Sequence, residues 1–318
     1  MIKYCIKRII SLIPVVFVIS VLLFGLMKLM PGDPVALSMP TNVRPEQYEA
    51  TYKAIEKNMG LDKSLPLQYI SWIKNTASGD LGQSLTYKEP VKDVIAKPLK
   101  NTVTLNFFVL LFSLTLSILA GIKSAVKKGK FIDQFWQLFS LFGMSVPSFF
   151  IALCLIYLFA FQWSLLPSGG MPIHTSNIIE WIQHMALPIA TLTIMNLAGT
   201  IRYVRNAMLE ALNEDYVRTA RSKGLSEKVI IYSHAFRNAL IPIVTVVIIQ
   251  IATLFSGSMI MEQVFTWDGL GYVLITALNR RDFMLVIALN MFYAVIYLAS
   301  NFICDIVYAL VDPRIKLD

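Results

Sequence analysis

The chain carries little charge for its length. Of 318 residues only 15% are Asp, Glu, Lys or Arg, against about 25% in a soluble globular chain. With 56% apolar residues and a mean hydropathy of +0.62, a large water-facing body is excluded. Cysteine is scarce too. Cys5, Cys154 and Cys304 stand too far apart to form a disulfide framework or a metal set, and they read as packing residues. His174, His184 and His234 make no His-Glu-x-x-His pattern, which removes the zinc chemistry of an intramembrane protease. A phosphate-cradling Gly-x-x-x-x-Gly-Lys-Ser/Thr loop is also missing, since Gly129-Lys130 is followed by Phe131. Catalytic residues, bound cofactor and metal are therefore not expected, and any ATP would be used by a partner. The apolar blocks hold no Asp or Glu pair, and no inverted repeat is visible. An ion-driven secondary transporter, the rival from another class, would need both.

What is present is a series of long uncharged blocks. Residues 9–27, 101–122, 134–179, 181–201, 238–261 and 283–304 contain no Asp, Glu, Lys or Arg. Each reaches the roughly 17–25 residues that a helix needs to cross a hydrocarbon core. Backbone groups cannot stay unpaired in lipid, so the blocks must be helices. The expectation is an all-α membrane protein with six spans. The first block, 19 residues long, exceeds the roughly 7–15 of a signal-peptide core and has no small-x-small site behind it. It reads as a retained anchor. Trp136 and Trp163 bracket the third block, and one straight helix between them would measure about 40 Å, the separation of two interfacial aromatic belts.

A formal charge of +8 invites a nucleic-acid reading, but its distribution points to membrane orientation. With the N-terminus inside, the inner segments hold 16 Lys and Arg residues, and the two short outer loops hold only Arg280 and Arg281. This bias places both termini in the cytoplasm. The long outer segment, 31–100, contains Pro31, Pro34, Pro40, Pro45, Pro66, Pro90 and Pro98. Such punctuation predicts a small cap of short pieces, packed through Tyr48, Tyr52, Tyr69, Trp72 and Ile73. A further outer loop opens at Pro167-Ser168-Gly169-Gly170, with room for a short helix before Pro188. The expected division is 1–94 for the first helix and cap, 95–308 for a five-helix core, and 309–318 for a tail.

The inner segment 202–240 is polar yet rich in helix formers. Leu209, Leu212, Tyr216 and Ala220 recur at helical spacing, predicting one amphipathic helix. Glu214 and Arg218 stand four apart in the favourable order. Gly224 is placed to end that helix in a left-handed turn, and Ser226 to cap the next, with Glu227 in its first turn.

The run Glu214-Asp215-Tyr216-Val217-Arg218-Thr219-Ala220-Arg221-Ser222-Lys223-Gly224-Leu225, continued by His234-Ala235-Phe236-Arg237-Asn238-Ala239-Leu240-Ile241-Pro242, resembles the cytoplasmic "EAA" loop of ABC importer permeases. More narrowly it resembles the dipeptide, oligopeptide and nickel permease family. Arg218-Thr219-Ala220 stands where the broad pattern has Glu-Ala-Ala, and Pro242 falls late; both are similar to the peptide branch. Pro31-Gly32-Asp33-Pro34, Gly60-Leu61-Asp62, Gln68-Tyr69, Trp72 and Gly79-Asp80-Leu81-Gly82 resemble the outer segment of that family's B-type subunit. Glu262, Phe265, Gly269-Leu270-Gly271, Arg281-Asp282 and Tyr308–Ile315 are similar to its last loop and C-terminus.

The resemblance implies a type I importer permease of the cell membrane that moves peptides, with nickel or metallophore import as the alternative. Its implied partners are a second homologous permease, two ABC ATPase subunits that bind ATP and Mg, and an extracytoplasmic substrate-binding protein. It assigns ATPase coupling to Asp215, Tyr216, Arg218, Thr219, Ala220, Arg221, Lys223 and Gly224. In this reading Arg218, Arg221 and Lys223 meet an acidic rim, and Tyr216 and Ala220 meet a groove floor. In the sixth block Asn290, Tyr293, Tyr297 and Ser300 recur at spacings that make one polar stripe. This stripe is either a wall of the pathway or a set of interhelical hydrogen bonds. Gln250 and Asn196 stand in the same position.

Orientation can be measured directly. Single cysteines replacing Lys127 and Arg221 should resist a membrane-impermeant thiol reagent added from outside, while one replacing Gly170 should label. External labelling at 221 would reverse the topology.

Overall fold

The computed structural model describes residues 2–40, 42–173, 177–255 and 257–311. His174 and most of the expected tail, from 312 onward, lie outside the described residues. Helix α1 (Ile2–Leu29) leads into a cap of α2 (Pro34–Leu37), α3 (Pro45–Asn58) and α4 (Leu65–Ala77). The core follows as α5 (Val91–Val126), α6 (Phe131–Ser145), α7 (Ser148–Ile156, extended by a π-helical turn to Gln162) and α8 (Ile178–Asn213). Short helices α9 (Asp215–Ser222) and α10 (Glu227–Val229) precede α11 (Phe236–Ala252), with a π-helical turn at Ile230–Ala235. The last described elements are α12 (Met259–Val264), α13 (Leu270–Asn279) and α14 (Phe283–Val311).

Among the described residues, four helices are long and apolar enough to cross a membrane, and two bent pairs bring the number to six when each counts as one span. The third block is not one straight rod. Phe131–Ser145 and Ser148–Gln162 meet at 102°, so the expected 40 Å helix between Trp136 and Trp163 does not form. Pro147 lacks an N–H, and its ring drives Val146 to an extended φ of −85° and ψ of 130°. A 55° bend precedes Pro242 in α11. Pro188, by contrast, lies inside α8, and no separate helix precedes it among the described residues. Pro98 similarly lies inside α5, so the boundary expected at 94/95 falls within a continuous helix.

Helices α5 and α8, 36 residues each, run about 54 Å and outreach a bilayer core. They pack closely because α5 offers small residues on one face. Ser113, Ser117, Ala120, Gly121 and Ser124 are all buried, the device that lets backbones approach where lipid gives no hydrophobic drive. At Gly121 a Cβ would sit 2.6 Å from Val204 Cβ, and at Gly143 of α6 it would sit 2.8 Å from Ala198.

One end of the bundle carries the cap, the other the Lys- and Arg-rich segments. At the cap end Tyr52 donates to Asp33 at 2.8 Å, which holds that carboxyl below its usual range. Tyr69 and Trp72 pack on Phe24 of α1. Asp282, fully buried, accepts from Ser84 and from the Thr86 N–H at 2.9 Å, and so fastens the cap to the start of α14. At the basic end buried Asp133 accepts from Arg205 Nε and Nη2 at 2.6 and 2.9 Å, from Ser124 at 2.6 Å and from the Gly129 N–H at 2.9 Å.

Gly121→Leu should separate α5 from α8 and lower the thermal midpoint of the detergent-solubilised protein by several degrees, an overpacking cost of about 1–3 kcal/mol. Gly25→Leu, where nothing outside the local helix backbone lies within 4 Å of the added Cβ, should leave the midpoint unchanged.

Candidate functional site

The segment between α8 and α11 is helix, turn, helix, as its glycine predicts, but the first helix is not continuous. Helix α8 ends at Asn213, Glu214 adopts φ −71° and ψ 151°, and α9 starts at Asp215. The amphipathic pattern from Leu209 to Ala220 is thus shared by two helices that turn their apolar sides to one core. Because Glu214 leaves the helix, Arg218 pairs with Asp215 at 3.6 Å in place of Glu214. Gly224 has φ +73°, a conformation that strains any residue with a Cβ. Ser226 stands at the N-cap of α10, yet its hydroxyl makes no capping bond. Glu227 instead binds Arg221 across the turn, at 2.8 and 3.3 Å.

Tyr216 and Ala220 are placed differently from the groove-floor expectation. Ala220 is 5% exposed and Val217 fully buried. Together with Ile230, Ala235 and Ala239 they pack on Ile122 and Ala125 of α5 and Val204, Met208 and Ala211 of α8. Tyr216 is half-buried against the same cluster. This face therefore closes on its own chain: a small residue at 220 lets α9 lie flat on the bundle. Burial of Ile230 alone stabilises the arrangement by about 1.5–3 kcal/mol.

What faces outward is another set. Leu225, Val229 and Tyr232 are 40%, 41% and 49% exposed, at spacings of four and three. Around them Asp215, Arg218, Thr219, Arg221, Lys223, Gly224 and Lys228 are exposed. Leu225 closes the first run of the motif, whereas Val229 and Tyr232 fall in the gap before His234 and so were not singled out in the sequence.

The polar stripe of α14 divides. Asn290 Nδ2 donates to the Val286 carbonyl of its own helix at 2.8 Å. Tyr293 is half-buried against the core that includes Leu285 and Leu289, Tyr297 is 64% exposed, and Ser300 is half-buried. Gln250 Nε2 donates to Thr200 Oγ1 at 2.6 Å, joining α11 to α8. Asn196 is exposed, and its carbonyl accepts from Thr200. His184 contacts the Gly170 carbonyl at 3.0 Å, a structural role.

Glu262 was legible only as part of a motif. It is 1% exposed, and its carboxylate accepts from Thr102 Oγ1 of α5 at 2.9 Å and from the N–H groups of Gly271 and Tyr272 at 2.7 and 3.1 Å. It thus sits on the N-terminus of α13, where free N–H groups favour an anion. Burial raises its pKa, and these hydrogen bonds oppose that shift. The same group explains Gly269, where a Cβ would approach its carboxylate to 2.5 Å, and at Gly271 a Cβ would meet the Met259 backbone at 2.7 Å and the carboxylate at 3.0 Å. The α12–α13 hairpin is further held by Asn101 Nδ2 donating to the Asp268 carbonyl at 2.7 Å and by Trp181 packing edge-on to Trp267.

Two family models match the chain. Residues 113–317 match the binding-protein-dependent transport system inner membrane component, and residues 1–106 match the N-terminal component of the same systems. A putative peptide permease protein of Brucella suis biovar 1 is 36% identical over 320 residues, covering 100% of both chains. The oligopeptide transport system permease protein AppB of Bacillus subtilis is 37% identical, covering 99% of this chain and 100% of that one. The di/tripeptide transport system permease protein DppB of Pseudomonas aeruginosa is 37% identical, covering 99% of each. Among solved structures, the MetNI methionine ABC transporter aligns with a TM-score of 0.53 at 17% identity, covering 69% of this chain and 96% of that one. An amino acid ABC transporter crystallised with histidines gives 0.52 at 18%, covering 69% and 94%. The fold is that of type I importer transmembrane domains.

Glu262→Ala would leave the Thr102 hydroxyl and the Gly271 N–H without their buried acceptor, at about 1–3 kcal/mol per group. A lower thermal midpoint is expected, with Glu262→Gln recovering part of the loss. A midpoint unmoved in Glu262→Ala would show that the hairpin does not depend on this carboxylate.

Proposed function

We propose that this chain, which belongs to the family of binding-protein-dependent transport permeases, is one transmembrane subunit of an ATP-driven importer of di- or oligopeptides. The names of the relatives in Bacillus and Pseudomonas support the substrate class. The observation that carries the coupling reading is the exposed strip of Leu225, Val229 and Tyr232, set among cations and standing on a buried core. Apolar area of this kind, rimmed by charge, marks a protein interface.

In this reading the basic end and both termini face the cytoplasm, and the cap lies outside the cell membrane. The chain pairs with a second, homologous permease and with two ATPase subunits, which carry the ATP and Mg. An extracytoplasmic binding protein delivers the peptide. The ATPase covers Leu225, Val229 and Tyr232, while its carboxylates meet Arg218, Lys223 and Lys228. Movement of the ATPase then reaches the bundle through Val217, Ala220 and Ile230, which bear directly on the ends of α5 and α8. Tyr297 and Asn196, both exposed, are the pathway candidates that remain open to a neighbouring subunit or to substrate. Tyr293, packed against the core shared by α5 and α13, and Gln250, bonded to Thr200 of α8, serve instead to hold the helices together, while Asn290 bonds within α14.

Leu225→Glu and Val229→Glu should each reduce co-purification of the ATPase subunits about tenfold or more, as expected for charges forced into the centre of an apolar contact. Gly224→Val should lower uptake at normal expression, because a β-branched residue at φ +73° costs about 1 kcal/mol or more. Ser226→Ala, which removes no capping bond, should behave as wild type. Normal ATPase association in both glutamate variants would end the assignment of this surface.

A further inference from the structure

The resemblance offers Arg221 to the ATPase, but the structure spends it elsewhere. Its guanidinium grips the Glu227 carboxylate in a two-pronged contact, Nε to Oε1 at 2.8 Å and Nη2 to Oε2 at 3.3 Å. The two residues lie on opposite sides of Gly224, Arg221 in the last turn of α9 and Glu227 in the first turn of α10. Little else holds that turn from the solvent side. Beyond its own chain neighbours, nothing lies within 4 Å of the position a Gly224 Cβ would take, and the Ser226 hydroxyl makes no cap. The backbone bonds here, Gly224 N–H to the Arg221 carbonyl at 2.9 Å and Leu225 N–H to the Ala220 carbonyl at 3.3 Å, finish α9 without reaching α10. Arg218 differs: it pairs loosely, at 3.6 Å, within its own helix and is 79% exposed.

We propose that Glu227 is a positioning residue of the coupling surface, and that Arg221 is its clamp partner, not a ligand of the ATPase. The inference rests on the coupling reading above. Held by a planar fork, α9 and α10 keep one angle, so a push on Leu225 and Val229 passes into Val217 and Ala220 without opening the turn. Arg221 and Glu227 are 47% and 61% exposed. A pair so wet contributes little to stability, and the arrangement sets an angle, not a melting point. Arg221 also holds the Glu227 carboxyl below its usual range, so the pair stays charged near neutral pH.

The test uses the complete transporter, purified with its native partners and reconstituted in liposomes, with radiolabelled trialanine as the probe. Uptake per ATP hydrolysed is measured for Arg221→Gln, Glu227→Gln and the double variant, beside ATPase pull-down. The clamp predicts the same loss in all three, about two- to five-fold, with the double no worse than either single and subunit association intact. Exchange of the charges, Arg221→Glu with Glu227→Arg, should recover uptake relative to either reversal alone. A ratio unchanged by Glu227→Gln but lowered by Arg221→Gln would return Arg221 to the ATPase interface and overturn the proposal. Losses that multiply in the double variant, or no loss in any, would overturn it equally. Failure of the underlying reading shows separately, as ATPase association that survives both Leu225→Glu and Val229→Glu.

Discussion

The close crossing of α5 and α8 is the constraint on which the other elements depend. In lipid, helices gain nothing by hiding apolar surface from one another, so association must come from tight packing and from polar contacts. Gly121 supplies the tight packing: a Cβ there would fall 2.6 Å from Val204 Cβ. Because α8 continues unbroken from Ile178 to Asn213, this crossing also sets the positions of its two ends. Trp181 at one end meets Trp267 of the α12–α13 hairpin. Val204, Met208 and Ala211 at the other form the floor on which α9 and the turn before α11 rest. A displacement of α9 therefore acts on a helix that spans the whole molecule.

Buried carboxylates fasten what packing leaves loose. Asp133 joins the α5–α6 turn to α8, Glu262 joins α5 to α13, and Asp282 joins the cap to α14. Each accepts two or more hydrogen bonds, at least one from a backbone N–H. An ionised carboxylate away from bulk water is costly unless so paired, and loss of one donor leaves most of that cost in place. These links are consequently rigid and specific. They differ in kind from the exposed Arg221–Glu227 pair, which orients without adding much stability.

The segment between α8 and α11 divides its residues between two environments, and burial separates them. Val217, Ala220 and Ile230 bind the loop to its own bundle. Leu225, Val229 and Tyr232, with the cations around them, stay exposed, the surface proposed above to meet another protein. Charge at Ala220 would thus damage the chain's own core, whereas charge at the exposed Leu225 would leave that core intact.

By itself the sequence determined the class of the molecule. Uncharged blocks of span length, the bias of Lys and Arg, and the motif from Glu214 to Pro242 identify an all-α membrane permease. These signals are local or additive: a helix in lipid needs only enough consecutive apolar residues, and a left-handed turn needs only its glycine at 224. Tertiary structure decided which side of each helix is used. The third block reads as one rod by composition, yet bends by 102° at Pro147, where backbone sterics outweigh hydropathy. Tyr216 and Ala220 share a helical face in any reading, but only the presence of α5 and α8 beside them makes that face inward. Glu262 and Asp282 look like loop acids until Thr102 and Ser84, each more than 150 positions away in the chain, are brought against them. Burial and hydrogen bonding are properties of neighbours distant in sequence, and those neighbours are set only when the helices pack.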